Sequence, residues 1–307
     1  MAVKEIDSVI DSVGKALEIC KEIQGGNYST GKLKFDQYNP LYFRGQNNET
    51  WELTPTVFRD RFLYYNESFI YNEALSAQPE EFRDDLTIIQ KLVRMQHFSI
   101  PTRLLDISED MLIGLYFACC DDNSVNGNSF VFNPKTDHIC FESDPYINAL
   151  SSLIFSSTAD KLFEIDPDFL EDKILIEGYK EILIEKRSEI FNKMIKNKIG
   201  ESYDIPTKLK KEIDACFNKH FLLRPRLSNK RIVAQKGSFI LFGPKNKSLD
   251  EDYSYWKIPV ASAAKERILD ELDTFFGINE STVFPDLDHL RSTLQRKYSS
   301  YFYRTPN

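Results

Sequence analysis

An arginine set among apolar residues on a strand must lie at an edge or meet an anionic partner inside the fold. The segment LYFRGQ at residues 41–46 puts Arg44 in that position. Gly45 beside it lets a ligand or a second backbone approach closely, and Gln46, two residues on, shares the arginine's face and can both donate and accept. The plainest alternative is that Arg44 pairs with an internal carboxylate such as Asp106. A second cluster, MQHFSIPTRLLDIS, crowds Gln96, His97, Thr102, Arg103, Asp106 and Ser108 into thirteen positions that otherwise read as core. On a strand over 102–108, Thr102, Leu104, Asp106 and Ser108 share one face and Arg103, Leu105 and Ile107 the other. Thr102, Asp106 and Ser108 can then line one cleft, or act as turn residue, arginine partner and helix cap. His97 titrates near neutrality and suits general acid–base work, though a lone histidine also serves as a satisfied structural group.

A third segment, LRPRLSNKRIVAQKGSFILFG, brings Arg224, Arg226, Lys230 and Arg231 before a strand carrying Gln235 and Gly237. It reads as an anion site for a phosphate-bearing ligand or as a solvated loop. His138, His220 and His289 have no metal-like spacing, and Cys20, Cys119, Cys120, Cys140 and Cys216 form no CxxC pair, so no metal is expected. P-loop, GxGxxG and GxSxG signatures do not occur.

The elements that must position these residues follow from periodicity. Ile6, Ile10, Val13 and Leu17 fall on one helical face, closed by Gly25 and Gly26. LYFRGQ and WELTP read as short extended pieces. A helix is expected from Pro79 to His97 with Leu86, Ile89 and Val93 as its stripe, ended by Ser99 and Pro101. TRLLDIS reads as a strand and Ser108 as N-cap of the helix EDMLIGLYFACC. SFVFNP, RIVAQKGSFILFG and YWKIPV read as strands, and KERILDELDTFFG as a helix closed by Gly277. Between residues 160 and 220 a charged texture around Leu175, Tyr179, Ile182, Ile190 and Met194 predicts a helical insertion. The expected fold is α+β: a central mixed or antiparallel sheet flanked by helices, with that insertion. The domain reading is an N-terminal helix over 1–30, a main domain over 31–290 and a tail over 291–307.

The 307 residues, 42% hydrophobic and 13% aromatic, suffice for a sizeable core. Lys and Arg total 39 against 47 Asp and Glu, a net charge of −8, which disfavours sequence-independent nucleic-acid binding. The absence of a long apolar run or a signal-peptide core, with an odd cysteine count, predicts a cytosolic protein without a membrane partner.

Taken together, LYFRGQ, then MQHFSIPTRLLDISEDMLIGLYFAC, then RP with RIVAQKGSFILFG, and KERILDELDTFFGINESTVFPDL resemble the FRG domain, named for its Phe-Arg-Gly motif. The likeness runs from about Leu41 to about Leu290. Where the family usually shows glycine after the His-aromatic pair this chain has Ser99, and Ile107 replaces a usual aromatic after Leu-Leu-Asp. The order of an Arg-Gly strand, a Thr/Ser strand and a late Gln-x-Gly strand is similar to the layout of arginine-type ADP-ribosyltransferases. That likeness implies an NAD-consuming transferase or glycohydrolase of the kind found in bacterial toxins and phage-defence systems, with NAD as substrate and a protein or nucleic acid as acceptor. Arg44, Gly45, Gln46, Thr102 and Arg103 would hold the nucleotide, and His97, Asp106 and Gln235 would serve catalysis, with Gln235 where such enzymes usually place a glutamate. The alternatives are a non-catalytic module sensing a small nucleotide or phosphate ligand, and, further off, a nuclease or RNA-binding factor.

Overall fold

The alternation of apolar and polar residues sorts the chain into strands with two unlike faces and the helices that cover them. The computed structural model describes residues 3–29, 35–121, 123–135, 138–144, 220–243 and 255–286, with isolated positions besides. In chain order these form β1 (Val3–Glu5), α1 (Val13–Gln24), β2 (Tyr42–Gln46), α2 (Thr56–Arg59), α3 (Arg61–Tyr65), α4 (Glu67–Ala77), α5 (Ile88–His97), β3 (Leu104–Ser108), α6 (Met111–Cys119) and β4 (Gly127–Phe132). There follow β5 (Ile139–Phe141), β6 (Phe221–Arg224), α7 (Lys230–Ala234), β7 (Gly237–Leu241), β8 (Tyr255–Val260), α8 (Lys265–Phe276) and α9 (Glu280–Val283). The strands make one eight-stranded sheet in the order β1-β8-β4-β2-β3-β7-β6-β5. Its two edge pairs, β1–β8 and β5–β6, are parallel and the interior pairs antiparallel. The α+β class with a mixed sheet is therefore as the sequence predicts.

Strand parity gives the layers. Tyr42, Leu105, Ile107, Phe130, Phe132, Ile240 and Tyr255 face one way, onto Val57, Phe58 and Tyr64 of α2 and α3. Phe43, Val131, Trp256 and Ile258 face the other, under α1, α6 and α8. Leu104, Phe239, Leu241 and Leu223 pack on Ile89, Leu92 and Val93 of α5. Each such large apolar side chain, fully buried, contributes about 1.5–3 kcal/mol. β4 is buried at every position, and α6 is apolar all round because sheet and helices enclose it.

Several boundaries differ from the sequence expectation. The first helix begins at Val13, where the Ser12 side chain accepts the Lys15 N–H. Ile6 and Ile10 are buried instead by β1 and a bridge to Val260, and Leu17 is 40% exposed. WELTP forms no strand. The stretch from Pro79 splits into a 3-10 turn, Pro79–Phe82, and α5, because Thr87 and Gln90 close a capping box that starts the helix afresh. Leu86 is left outside and exposed. β3 starts at Leu104, and Asp110 rather than Ser108 caps α6, accepting the Leu112 N–H at 2.8 Å. RIVAQKGSFILFG is half helix: Asn229 caps α7, Gln235 ends it, and β7 begins only at Gly237. Ser99 has φ of 58°, the left-handed region that glycine enters freely, which is the physical reason a glycine suits that turn.

The predicted helical insertion over 160–220 and its stripe lie outside the described residues, apart from His220, as does nearly all of 291–307. β1 and α1 join the same sheet and core as the residues after 31. No helix among the described residues is long and apolar enough to cross a membrane.

The tightest packing is between α6 and the centre of the sheet. A Cβ added at Gly45 would overlap the Gly114 carbonyl oxygen and the Ala118 nitrogen of α6. One added at Gly114 would stand 2.9 Å from the Phe43 Cβ. Gly127 is equally confined, between the Ala118 and Gln46 carbonyl oxygens. We predict that Gly45→Ala destabilises the fold by about 3 kcal/mol or more, whereas Gly14→Ala, whose Cβ meets nothing within 4 Å, is neutral or stabilising by up to about 1 kcal/mol. Urea denaturation of the two variants beside wild type measures both.

Candidate functional site

β2 and β3, the two central strands, pair in register only at Phe43–Ser108. β2 runs five positions against β4 and β3 five against β7. Where the β2–β3 ladder stops, Arg44 bridges the strands: its Nη1 donates to the Asp106 backbone carbonyl at 2.5 Å. Arg44 thus bonds the Asp106 backbone and not its carboxylate. Around this parting of the strands lies a cavity of about 260 Å³. Gln96 and His97 from the end of α5, Phe117, Cys120 and Asp121 from the end of α6, and Arg231 and Gln235 from α7 enclose it, with Trp51 and Arg59 also on its lining.

The polar groups of the cavity are held from outside it. The Thr102 hydroxyl donates to Gln96 Oε1 at 2.5 Å and accepts the Leu104 N–H at 3.1 Å. Gln96 Nε2 in turn donates to Asp106 Oδ2 at 2.6 Å. This chain fixes the one exposed residue of a strand whose other residues are buried. Ser108 donates to the Gln235 carbonyl at 2.7 Å and accepts the Asp110 N–H at 2.9 Å, tying β3 to α6 and α7. Arg231 donates to the His97 carbonyl at 2.8 Å and stacks over the Phe284 ring at 4.9 Å.

Desolvation dominates the electrostatics. Burial pushes the Arg44 guanidinium down to about 10, with Asp106 opposing the shift and Arg59 adding to it. Arg231 is lowered by the same cause, opposed by Asp106 and Asp286. His97 is lowered by burial and then by the charges of Arg231 and Arg94, so the imidazole is neutral near pH 7. Three guanidiniums, two of them short of solvation, face one space. Among the described residues, Arg44 Nε, Gln46 Oε1, Asn47 Oδ1 and His97 Nδ1 are buried side-chain atoms without a hydrogen-bond partner. All four residues line this cavity.

Of the residues expected from sequence, Arg44, Gly45, Gln46, His97, Asp106 and Gln235 meet here. Gly45 does so as a point of close helix approach, its Cα side filled by α6. Thr102 is fully buried behind Gln96 and acts through it. Arg103 stands elsewhere: it is fully buried, with Nε and Nη2 donating to the two carboxylate oxygens of Glu67 at 2.8 and 2.5 Å. Its odd strand position turns it to the layer of Phe58, whose ring lies 5.9 Å from its guanidinium. Gln235 sits at the end of a helix rather than on a strand, its Nε2 donating to the Val283 carbonyl at 3.2 Å. The basic run disperses: Arg224 pairs with Glu109 at 2.9 Å, Arg226 with Glu142 at 3.3 Å, Lys230 is exposed, and Arg231 alone of the four reaches the cavity. Asn47, Trp51, Arg59 and Asp121 were not legible as site residues; a polar pair following the Arg-Gly-Gln run was the available signal for Asn47. Among the described residues no three His, Cys, Asp or Glu side chains are gathered as metal ligands would be.

Residues 39–127 match the FRG domain family, and this part of the chain is an FRG domain. No curated protein and no solved structure matches the chain. The matched span carries the cavity residues from Phe43 to Asp121 and leaves the wall from Arg231 to Phe239 outside it.

Arg44 and Arg103 should part company on mutation. Arg103→Met strands the Glu67 carboxylate in the core and is expected to cost about 3–5 kcal/mol. Arg44→Met removes a charge that folding desolvates without a carboxylate bond, and is expected to cost less than about 1 kcal/mol or to stabilise. Urea midpoints of the two variants decide it; comparable losses would make Arg44 a structural residue.

Proposed function

We propose that this FRG-domain chain binds an anionic nucleotide in the cavity between β2 and β3, and that the nucleotide is NAD, cleaved at the nicotinamide–ribose bond. The observation that supports this most strongly is the gathering of four unpartnered buried polar atoms about one space. Each such atom costs about 1–3 kcal/mol when left unmade, a cost recovered by a ligand offering phosphate oxygens and donor groups. Arg44, Arg231 and Arg59 supply the cationic side of such a site.

In this reading the bond to nicotinamide breaks with its electron pair leaving on the pyridine nitrogen, and positive charge builds on the ribose C1′. Asp106, held by the Thr102–Gln96 chain, is the carboxylate beside that charge. The incoming nucleophile, water or a group on a protein or nucleic acid, bonds to C1′ and releases its proton to His97, whose Nδ1 carries no partner in the fold. The depression of His97 keeps it in the accepting, neutral form. Gln235 contributes a wall, not a charge. A second reading, a sensor that binds without turnover, draws on that same amide, which is tied to Val283 where a second carboxylate would otherwise assist Asp106.

NAD remaining after incubation with purified protein tests both readings. Wild type is expected to deplete it, with Arg44→Ala and Asp106→Asn slower by at least about 100-fold while retaining cooperative melting. The acid limb of the rate should lie below the ordinary histidine value of 6.5, because His97 must be neutral and its proton affinity is lowered. Ligand-raised melting without turnover would select the sensor; neither turnover nor a melting shift would sink both.

A further inference from the structure

Resting on the NAD reading, we infer that the enclosed part of the cavity is built for the carboxamide of nicotinamide, and that Gln46 is the residue that reads it. Gln46 is 2% exposed. Its Nε2 donates to the Glu52 carbonyl at 3.0 Å. Since a carbonyl only accepts, that bond fixes which way the amide points, and the free atom is the acceptor Oε1. Asn47 is 4% exposed, and its backbone carbonyl is held at 2.6 Å by the Nζ of the fully buried Lys265. Its Oδ1 likewise has no partner. Two acceptors on residues that line one cavity, one of fixed orientation, call for a ligand group that donates through N–H. A carboxylate or ring carbonyl there would set lone pair against lone pair.

NAD offers such a group at each end, the nicotinamide carboxamide and the adenine amine. Volume and chemistry choose between them. The cavity, at about 260 Å³, falls just under the roughly 300–1,000 Å³ that encloses a drug-sized ligand, so it takes one end of a dinucleotide. Asp106 lines that same cavity, and the bond that breaks must lie beside it. The nicotinamide end is therefore the enclosed one, its ring against Phe117 and Phe43, with the adenosine directed to Trp51, 50% exposed, and the exposed Arg59.

Two analogues separate the ends on the wild-type protein. Nicotinic acid adenine dinucleotide replaces the carboxamide NH₂ by a carboxylate oxygen, and nicotinamide hypoxanthine dinucleotide removes the adenine amine. By calorimetric titration the first is expected to bind at least about 100-fold more weakly than NAD, and the second within about threefold. Gln46→Leu, checked for cooperative melting, should bring NAD down towards the nicotinic acid analogue. Equal binding of all three dinucleotides, or loss confined to the hypoxanthine analogue, overturns the assignment while nucleotide binding stands. Binding of none of the three overturns the NAD reading and the assignment together.

Discussion

The close approach of α6 to β2 is the constraint on which the remaining architecture depends. Gly45 and Gly114 face one another with no room for a methyl group on either, and Gly127 repeats the arrangement on β4. This contact sets the depth at which α6 lies on the sheet, and its direction along the strands brings Phe117, Cys120 and Asp121 to the rim of the cavity. The three letters of the Phe-Arg-Gly motif thus divide their work between opposite sides of one strand. Phe43 and Gly45 turn to the helix, and Arg44, of opposite parity, is left for the space where β2 and β3 separate. The glycine is needed by the helix, and the arginine spans the gap to the Asp106 carbonyl.

A second consequence concerns how polarity is tolerated at the centre of an eight-stranded sheet. Buried guanidiniums are ordinarily paired, and Arg103 obeys the rule by meeting both oxygens of Glu67. Arg44 breaks it, bonding, among the described residues, a backbone carbonyl at the end of an interrupted ladder. The contrast between an arginine in β2 and one just before β3 marks the cavity more sharply than shape does. The charge of one is met by a carboxylate within the fold, and that of the other by a backbone carbonyl.

Much of this was legible in the sequence and some of it was not. β2, β3, β4, β8 and α8 follow from alternation, helical periodicity and Gly277, and the polar crowding over 96–108 marks one wall of the cavity. Arg103 and Thr102 read as equals of Asp106 because strand parity states which residues share a face but not which face a helix will cover. β1 was hidden because Ile6 and Ile10 fit a helical stripe as well as they fit a strand and bridge. The split at Gln235 was missed because apolar residues on both sides of a one-turn helix mimic a single long strand. The left-handed Ser99 and Lys236 carry no compositional signal at all.

The order of strands in the sheet has a bearing on how the cavity is completed. β3, at the middle, takes its outer neighbour from β7, with Ser108 meeting Gly237, and β1 waits for β8, with Val3 meeting Tyr255. The residues of the FRG match include Arg44, His97 and Asp106, yet supply no strand to cover the free edge of β3 and no helix to close the far wall. The cavity is therefore incomplete until the residues from Arg231 to Phe239 have joined it. Long-range pairing of this kind also slows folding, so the cavity rests on a slow union of distant strands, Asp106 beside Phe239.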